Sequence, residues 1–368
     1  MVLQLPRFRT SATILLLLFL VPSIRAQTVT RLATSKEIHE MLVQHVDVQH
    51  KASAIVIGLI SKHGREIITY GRFGPDDPRV PDAETIFEIG SVTKVFTSLL
   101  LSEMVLGKEV KLNDPISKYL PPGIHAPSRN GKQITLLDLA THHSGLPREP
   151  AHPSDYTIEQ MYDFLNNYEL TRDPGASYEY SNYGAGLLGQ LLARRAGTDY
   201  ETLLRTRITG PLRMNHTAVQ LTDYMKANLI SGYRGSDKTP PIPIHALEGA
   251  GAIRSNLDDM LIFLAANMGI IKTPLLPAMK NMLSVHRDAP PIAQVALGWH
   301  IVNGGTFVCH SGETYGYHAF VGWDLRRKIG IVVLENSTES TTDLELSIFN
   351  HPVERPSDLP APGPPNMH

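Results

Sequence analysis

The spacing of apolar residues divides the chain into β-rich ends and a helical middle. Near the N-terminus, residues 54–60 and 66–71 are rich in β-branched side chains and flank a short segment that contains Gly64. This pattern predicts a β-hairpin. The same character returns after residue 295 and predicts consecutive antiparallel strands. These strands cover residues 296–302, 306–309, 317–324 and 329–334.

Helical spacing of apolar residues fills the middle of the chain and the segment before the hairpin. In the first predicted helix, Ser35 is the expected N-terminal cap. Residues 91–106 are nearly all apolar or small and stop at Gly107, as expected of a buried helix. Ser255 is predicted to begin the last helix, with Asp258 in the capping-box position. The predicted helices cover residues 31–49, 91–106, 158–168, 184–196, 200–208 and 256–268.

Strands at both ends with helices between them predict one discontinuous α/β domain. Its antiparallel sheet is formed by the N- and C-terminal segments and flanked by helices, and the middle of the chain forms a mainly helical lobe. We expect a single domain over residues 27–350, with an α/β lobe at 27–90 and 245–350 and a helical lobe at 91–244. Residues 351–368 contain six prolines and are expected to be extended or disordered.

Composition adds little that is specific. The chain has 368 residues, of which 42% are hydrophobic and 19% charged, with a net charge of −2. These values are typical of a globular protein with a substantial core. They do not favour nucleic acid or an anionic membrane as a partner. The single cysteine, Cys309, excludes an internal disulfide and is interpreted as a small buried residue rather than a catalytic thiol.

The first 26 residues have the organisation of a secretory signal. Arg7 and Arg9 precede an apolar core at residues 12–21, and the small residue Ala26 stands before a predicted cut ahead of Gln27. We therefore expect a periplasmic or secreted protein without stable membrane insertion after cleavage. An uncleaved N-terminal anchor is the alternative.

The first candidate for chemistry is Ser91-Val92-Thr93-Lys94, in which Ser91 is the only serine followed by a lysine at the third position. Residues three apart share a helix face, so the hydroxyl and the amine can meet. A serine hydroxyl becomes a good nucleophile when a neighbour takes its proton. Burial lowers the pKa of a lysine and so frees its amine to act as that base.

The second candidate is Tyr180-Ser181-Asn182. A phenol beside Lys94 is expected to be held towards its anionic form and to shuttle a proton between Ser91 and a leaving group. The amide of Asn182 is predicted to hold a substrate carbonyl. The alternative interpretation of this segment is an ordinary turn.

The third candidate is His310-Ser311-Gly312, at the end of a predicted strand. The Ser311 hydroxyl and the imidazole, whether cationic or neutral, could bind an acidic group, and Gly312 allows a close backbone approach. The N–H of Glu313 could join that of Ser91 in an oxyanion hole.

In this order the three motifs resemble the serine β-lactamase and penicillin-binding protein superfamily, whose signatures begin with Ser-x-x-Lys. Tyr-x-Asn as second motif is typical of the class C-type branch, which includes class C β-lactamases, D-alanyl-D-alanine carboxypeptidases, D-aminopeptidases and related esterases. Three further phrases fit, and the likeness covers roughly Ser35 to Asn350. These phrases are Phe-Glu-Ile-Gly at 87–90, Leu-Ala-Thr-His-His-Ser-Gly-Leu-Pro at 139–147 and Gly-Ala-Gly at 249–251.

The resemblance implies a β-lactamase/transpeptidase-like fold and an exported serine hydrolase. It would act through an acyl-enzyme on Ser91, with β-lactams or D-Ala-D-Ala-type peptides as substrates. Class C β-lactamases usually have Lys-Thr-Gly where this chain has His-Ser-Gly, and histidine there is known in the D-alanyl-peptidase and D-aminopeptidase relatives. Histidine is cationic only near or below a pKa of about 6.5, so the substrate stays open. A carboxylesterase and a non-turnover penicillin or peptidoglycan sensor are the alternatives.

Two other chemistries fit the sequence poorly. No serine has glycine two positions away on both sides, as the nucleophile of an α/β-hydrolase requires. His142 and His143 are adjacent and so point in different directions on a helix, and there is no His-Glu-x-x-His run. We therefore expect neither a metal nor a cofactor.

Overall fold

The computed structural model describes residues 30–149, 156–243 and 246–352. The predicted signal segment and the tail from residue 353 lie outside the described residues. The α-helices are α1 (Ser35–Val43), α2 (Thr93–Leu106), α3 (Leu136–Ala140), α4 (Ile158–Asn167), α5 (Asn182–Ala196), α6 (Tyr200–Leu204), α7 (Gly210–Leu212), α8 (Asp223–Asn228), α9 (Glu248–Gly251), α10 (Leu257–Asn267), α11 (Leu276–Ser284) and α12 (Thr342–Phe349).

The strands of the described residues fall into one large sheet and several short ribbons. They are β1 (Thr30–Arg31), β2 (Ala54–Ser61), β3 (Gly64–Gly71), β4 (Phe87–Glu88), β5 (Ser128–Arg129), β6 (Lys132–Gln133), β7 (Tyr233–Arg234), β8 (Asp237–Lys238), β9 (Arg254–Ser255), β10 (His286–Ala289), β11 (Ala293–Ala296), β12 (His300–Val302), β13 (Phe307–Glu313), β14 (His318–Asp324), β15 (Ile329–Glu335) and β16 (His351–Pro352).

The large sheet has eight antiparallel strands in the order β10-β11-β12-β13-β14-β15-β2-β3. The predicted N-terminal hairpin, β2 and β3, joins it through the pairing of β2 with β15. The N- and C-terminal segments therefore share one antiparallel sheet, as the strand pattern predicts.

Both faces of this sheet are buried because alternate residues of a strand point to opposite sides. Along β2, Ile55 and Ile57 pack in the cluster that includes residues of α1 and α12. Ala54 and Val56 belong instead to the main core, which also contains α2, α5 and α10. The continuous apolar run of residues 54–60 is thus explained by burial on two sides.

Helix α2 is buried on almost every side, as expected from its apolar sequence. Just before it, β4 pairs with β9 through Phe87–Ser255 and Glu88–Arg254. Arg254 Nη2 donates to Glu88 Oε1 at 2.9 Å, and both side chains are at most 3% exposed. Arg254 also donates to the carbonyl oxygens of Ile242 and Ala252. This ion pair therefore fixes the segment that leads into α2.

The structure corrects two predicted helix starts. The cap of α1 is Thr34, whose hydroxyl accepts from Glu37 N–H, rather than Ser35. The cap of α10 is Asn256, whose side chain accepts from Asp259 N–H. Ser255 lies in β9, and Asp258 is not in the capping-box position. In both cases the true cap has an extended backbone conformation and so stands outside the helix.

Two strand predictions were also wrong. Residues 296–302 do not form one strand, because Gly298 adopts a φ of +72°, which belongs to the left-handed region and interrupts an extended chain. The segment divides between β11 and β12. The strand β10, His286–Ala289, was missed because two of its four residues are charged and it lacks a β-branched pattern.

No helix within the described ranges is both long and apolar enough to cross a membrane.

The buried ion pair gives a stability prediction. The substitution Arg254→Met leaves the Glu88 carboxylate buried without its cation, and we expect the free energy of unfolding to fall by about 3–5 kcal/mol. Urea denaturation measures this change. The control Lys226→Met breaks the exposed contact of Lys226 with Asp223 and should change stability very little. Similar small losses in both variants would contradict the role given to the buried pair.

Candidate active site

Ser91 and Lys94 are brought together at the start of α2. Ser91 lies in the 3₁₀ turn Gly90–Val92, which continues directly into the helix. Lys94 Nζ is 2.9 Å from Ser91 Oγ and donates to the carbonyl oxygen of Ala250 at 2.6 Å. The lysine side chain is therefore held against the hydroxyl from one side by its own helix and from the other by α9.

Burial controls the charge of Lys94. The residue is only 2% exposed, and burial lowers the pKa of its ammonium group to about 7. The nearby Glu149 opposes this shift in pKa, and Arg148 adds to it. A large fraction of Lys94 is therefore a neutral amine at pH 7, as a base that takes the proton of Ser91 must be.

Tyr180 lies beside both residues. Lys94 Nζ is 4.9 Å from the centroid of the Tyr180 ring, and the ring of His142 stacks on Tyr180 with centroids 4.4 Å apart. Burial raises the pKa of the Tyr180 phenol, and its interaction with Ser91 offsets only part of this increase. The expectation of a phenol held towards its anionic form was therefore wrong. A buried Tyr180 keeps its proton and is a donor in the resting site.

Asn182 offers an acceptor to the site rather than only a donor. It begins α5, whose N-terminus is capped by the Ser181 hydroxyl. Its Nδ2 donates to the Glu149 carboxylate, and its buried Oδ1 has no hydrogen-bond partner among the described residues. Buried polar atoms are normally paired, so Oδ1 is available to accept an N–H from a bound molecule.

The Glu313 N–H lies close to Ser91. Within β13, Thr314 N–H donates to Tyr317 O at 3.0 Å, and successive N–H groups of a strand point to opposite edges. The Glu313 N–H therefore points away from β14. Gly312 packs so closely that an added Cβ would lie 2.9 Å from Ser91 N. This geometry places two backbone donors around one position next to Ser91 Oγ, as an oxyanion hole requires.

His310 is not the cation that the sequence suggested. It is 2% exposed, it stacks on His300 with centroids 4.7 Å apart, and its Nδ1 is 2.6 Å from the carbonyl oxygen of Ser311. Burial, together with His300 and Lys94, holds the pKa of His310 well below its usual value. Its one proton sits on Nδ1, so Nε2 can only accept a hydrogen bond. His310 therefore cannot hold a carboxylate.

A cavity of about 450 Å³ opens onto Ser91. Asn182 and Glu313 line it, and so do two cationic residues, Arg148 and Arg234, which the sequence analysis missed. Arg148 directly follows the phrase at residues 139–147, which was the available signal, whereas nothing in the sequence around Arg234 indicated a site. Ser311 and Gly312 are not part of the wall of this cavity.

Two other chemistries find no support in this region. Burial raises the pKa of the Cys309 thiol to about 12, so the thiol is not a reactive nucleophile. Within the described parts of the chain, no group of three or more His, Cys, Asp or Glu side chains is placed to hold a metal ion. His142 Nδ1 instead accepts from Ser181 N–H at 3.1 Å.

Comparisons with known proteins agree with this geometry. The family model described as Beta-lactamase matches residues 42–350. The D-alanyl-D-alanine-carboxypeptidase/endopeptidase AmpH of Escherichia coli (strain K12) is 33% identical over 243 residues, which are 64% of this chain and 63% of AmpH. The match therefore spans less than two thirds of AmpH. A Beta-lactamase of Escherichia coli (strain K12) is 27% identical over 330 residues, 78% of this chain and 85% of that protein.

The overall fold also has a solved counterpart. The crystal structure of Beta-Lactamase/D-Alanine Carboxypeptidase from Pseudomonas syringae aligns with a TM-score of 0.78 at 20% identity, over 86% of this chain and 98% of that chain. At this identity the likeness establishes the fold alone. The predicted arrangement, an antiparallel sheet of terminal segments with a helical middle, is thereby confirmed.

The low pKa of Lys94 gives a prediction for pH. Below pH 7 the amine is protonated and cannot take the Ser91 proton, so acylation by a neutral ester should slow about tenfold per pH unit below that value. Above pH 7 the rate should level off. Rapid-mixing measurements of the first turnover between pH 5 and pH 9 record this profile.

Lys94→Arg is the matched control, because it keeps a cation that does not deprotonate. It should be slow at every pH. A wild-type rate that is flat from pH 5 to pH 9, or that rises only above pH 9, would contradict the assignment of Lys94 as the base.

Proposed function

The chain belongs to the beta-lactamase family, and we propose that it is an exported serine hydrolase. Its substrates are β-lactams, D-Ala-D-Ala-type peptides or both, and the reaction passes through an acyl-enzyme on Ser91. The observation that carries this proposal is the 2.9 Å contact of Ser91 Oγ with a buried Lys94 at the wall of a cavity. The names of the relatives, a carboxypeptidase/endopeptidase and a β-lactamase, support the substrate class.

In the proposed acylation step, neutral Lys94 takes the proton of Ser91 as Oγ attacks the substrate carbonyl carbon. The N–H groups of Ser91 and Glu313 donate to the oxygen that becomes negative. Such donors stabilise the transition state by several kcal/mol, roughly 2.7–4 for each donor. Asn182 Oδ1, which is buried and unpartnered among the described residues, accepts the amide N–H of the substrate.

The leaving group then needs a proton. Tyr180 is protonated, because burial raises its pKa, and it lies between Lys94 and Arg148. We assign the donation to the Tyr180 phenol, which recovers its proton from the Lys94 ammonium. In deacylation the same groups work in the opposite direction: a water molecule gives up its proton, attacks the ester carbon, and Ser91 recovers its hydrogen.

Export is the second part of the proposal. The basic residues Arg7 and Arg9 before an apolar run, and the small Ala26 before Gln27, support a signal segment at residues 1–26. The intact mass of the secreted protein reports its N-terminus and should correspond to a chain that starts at Gln27. A mass that retains residues 1–26 would support the uncleaved anchor instead.

One experiment tests the activity. The protein is incubated with a penicillin, a D-alanyl-D-alanine peptide and a short-chain aryl ester, and intact-mass spectrometry and product release are followed together. We expect a transient adduct on Ser91 and continued release of product with at least one of the first two substrates. Ser91→Ala should lose both the adduct and the turnover while its unfolding transition stays unchanged.

The outcomes separate the alternatives. Turnover of the ester alone would indicate a carboxylesterase, and a single stoichiometric adduct with a penicillin would indicate a sensor. Labelling that persists in Ser91→Ala would reject Ser91 as the nucleophile.

A further inference from the structure

A substrate that carries a carboxylate needs a cation in the site, and His310 does not supply one. The third motif is where the related β-lactamases usually have a lysine, but here the imidazole is buried, neutral and bonded through Nδ1 to the carbonyl oxygen of Ser311. Among the described residues that line the cavity at Ser91, the cationic side chains are Arg148 and Arg234. An arginine keeps its charge at every physiological pH.

Arg148 is the cation that lies at the catalytic centre. Its guanidinium carbon is 5.0 Å from the centroid of the Tyr180 ring, and its charge contributes to the lowered pKa of Lys94. Arg234 lies in the ribbon strand β7 and is not among the charges that shift the pKa of Lys94. Arg148 is therefore the closer of the two to the reacting atoms.

The backbone of Arg148 is fixed while its side chain remains available. Its carbonyl oxygen accepts from Asn182 N–H at 2.8 Å and from Tyr183 N–H at 3.2 Å, so the start of α5 holds the residue in place. The side chain is exposed and makes no hydrogen bond or ion pair with any residue that the structure describes. The neighbouring carboxylate, that of Glu149, is bonded to the Asn182 amide instead.

We propose that Arg148 binds the carboxylate of the substrate. The inference rests on the proposed function and narrows its substrate class to acyl donors with a free carboxylate, either a β-lactam acid or a peptide with a C-terminal D-residue. The planar guanidinium can donate two parallel N–H groups to one carboxylate. Because this charge does not titrate, binding of acidic substrates should not weaken between pH 6 and pH 8.

A matched pair of substrates tests the assignment. The ratio of kcat/KM for a penicillin to kcat/KM for its methyl ester is measured in the wild type and in Arg148→Gln. A charge-assisted contact is worth enough for the ratio to fall about tenfold or more. Loss of the Arg148 charge also affects Lys94, but this acts on both substrates alike and cancels in the ratio.

Two variants serve as controls. Arg234→Gln removes the other cation of the cavity and should leave the ratio within about twofold of wild type, which is within the usual range for exposed charges. Arg148→Lys restores a charge without the paired donors and should recover part of the ratio. A ratio that is unchanged in Arg148→Gln, or that falls in Arg234→Gln instead, would overturn the proposal.

The test also stands apart from the proposed function. If the wild type turns over neither substrate, that function fails, and calorimetric binding of penicillin and of its methyl ester to Ser91→Ala then provides the comparison. Preference for the acid that disappears with a second substitution, Arg148→Gln, would support the carboxylate site even so. Equal binding of acid and ester to Ser91→Ala would reject it.

Discussion

The site depends on one constraint, the burial of a lysine amine directly beneath a serine hydroxyl. Moving the pKa of Lys94 from 10.5 to about 7 corresponds to a cost on the order of 5 kcal/mol. This cost is fully present below pH 7 and disappears as the pH rises towards 10.5, where the unfolded chain also loses the proton. The contact of Nζ with Ala250 O offsets only part of it. The fold therefore gives up stability to hold a base at neutral pH, as is common at catalytic sites.

The surroundings of Lys94 are arranged so that it stays dry without receiving an opposing charge in direct contact. Three histidines, His142, His300 and His310, lie near it, and burial lowers the pKa of each, that of His300 to about 4. Neutral imidazoles fill space and accept hydrogen bonds, and they add no charge that would change the protonation of the amine. The nearest charged residues, Glu149 and Arg148, act on its pKa in opposite directions.

The sheet and the helices each supply one side of the reaction. Strand β13 extends past its partner β12, which pairs only as far as Cys309. The edge near Glu313 is therefore uncovered within the described residues and can present its N–H to a substrate. Helix α2 brings Ser91 and Lys94, and the start of α5 brings Asn182 and fixes Arg148. A loop on the protein surface could not hold these groups at such distances without a rigid frame.

Sequence reasoning found what local spacing determines. Three residues on a helix bring Ser91 and Lys94 together, and the strand pattern placed the terminal segments in one sheet. The charge states of Tyr180 and His310 were predicted wrongly because they depend on burial by residues distant in the chain, which spacing does not reveal. Arg148 was missed for the same reason: its meaning comes from the closeness of the Tyr180 ring, 32 positions later. The helix caps were each one residue away from the prediction, since Ser35 and Thr34, like Ser255 and Asn256, have equally suitable side chains.

The most direct test of this account is the titration of Lys94 itself. Nuclear magnetic resonance of the protein with labelled lysine side chains follows the Cε and Nζ signals from pH 5 to pH 11, and the Lys94 signal is assigned as the one absent in Lys94→Met. The account predicts a midpoint close to pH 7 for this signal, while exposed lysines titrate near 10.4. A midpoint above about 9.5 would mean that Lys94 is an ammonium at neutral pH and cannot be the base that activates Ser91.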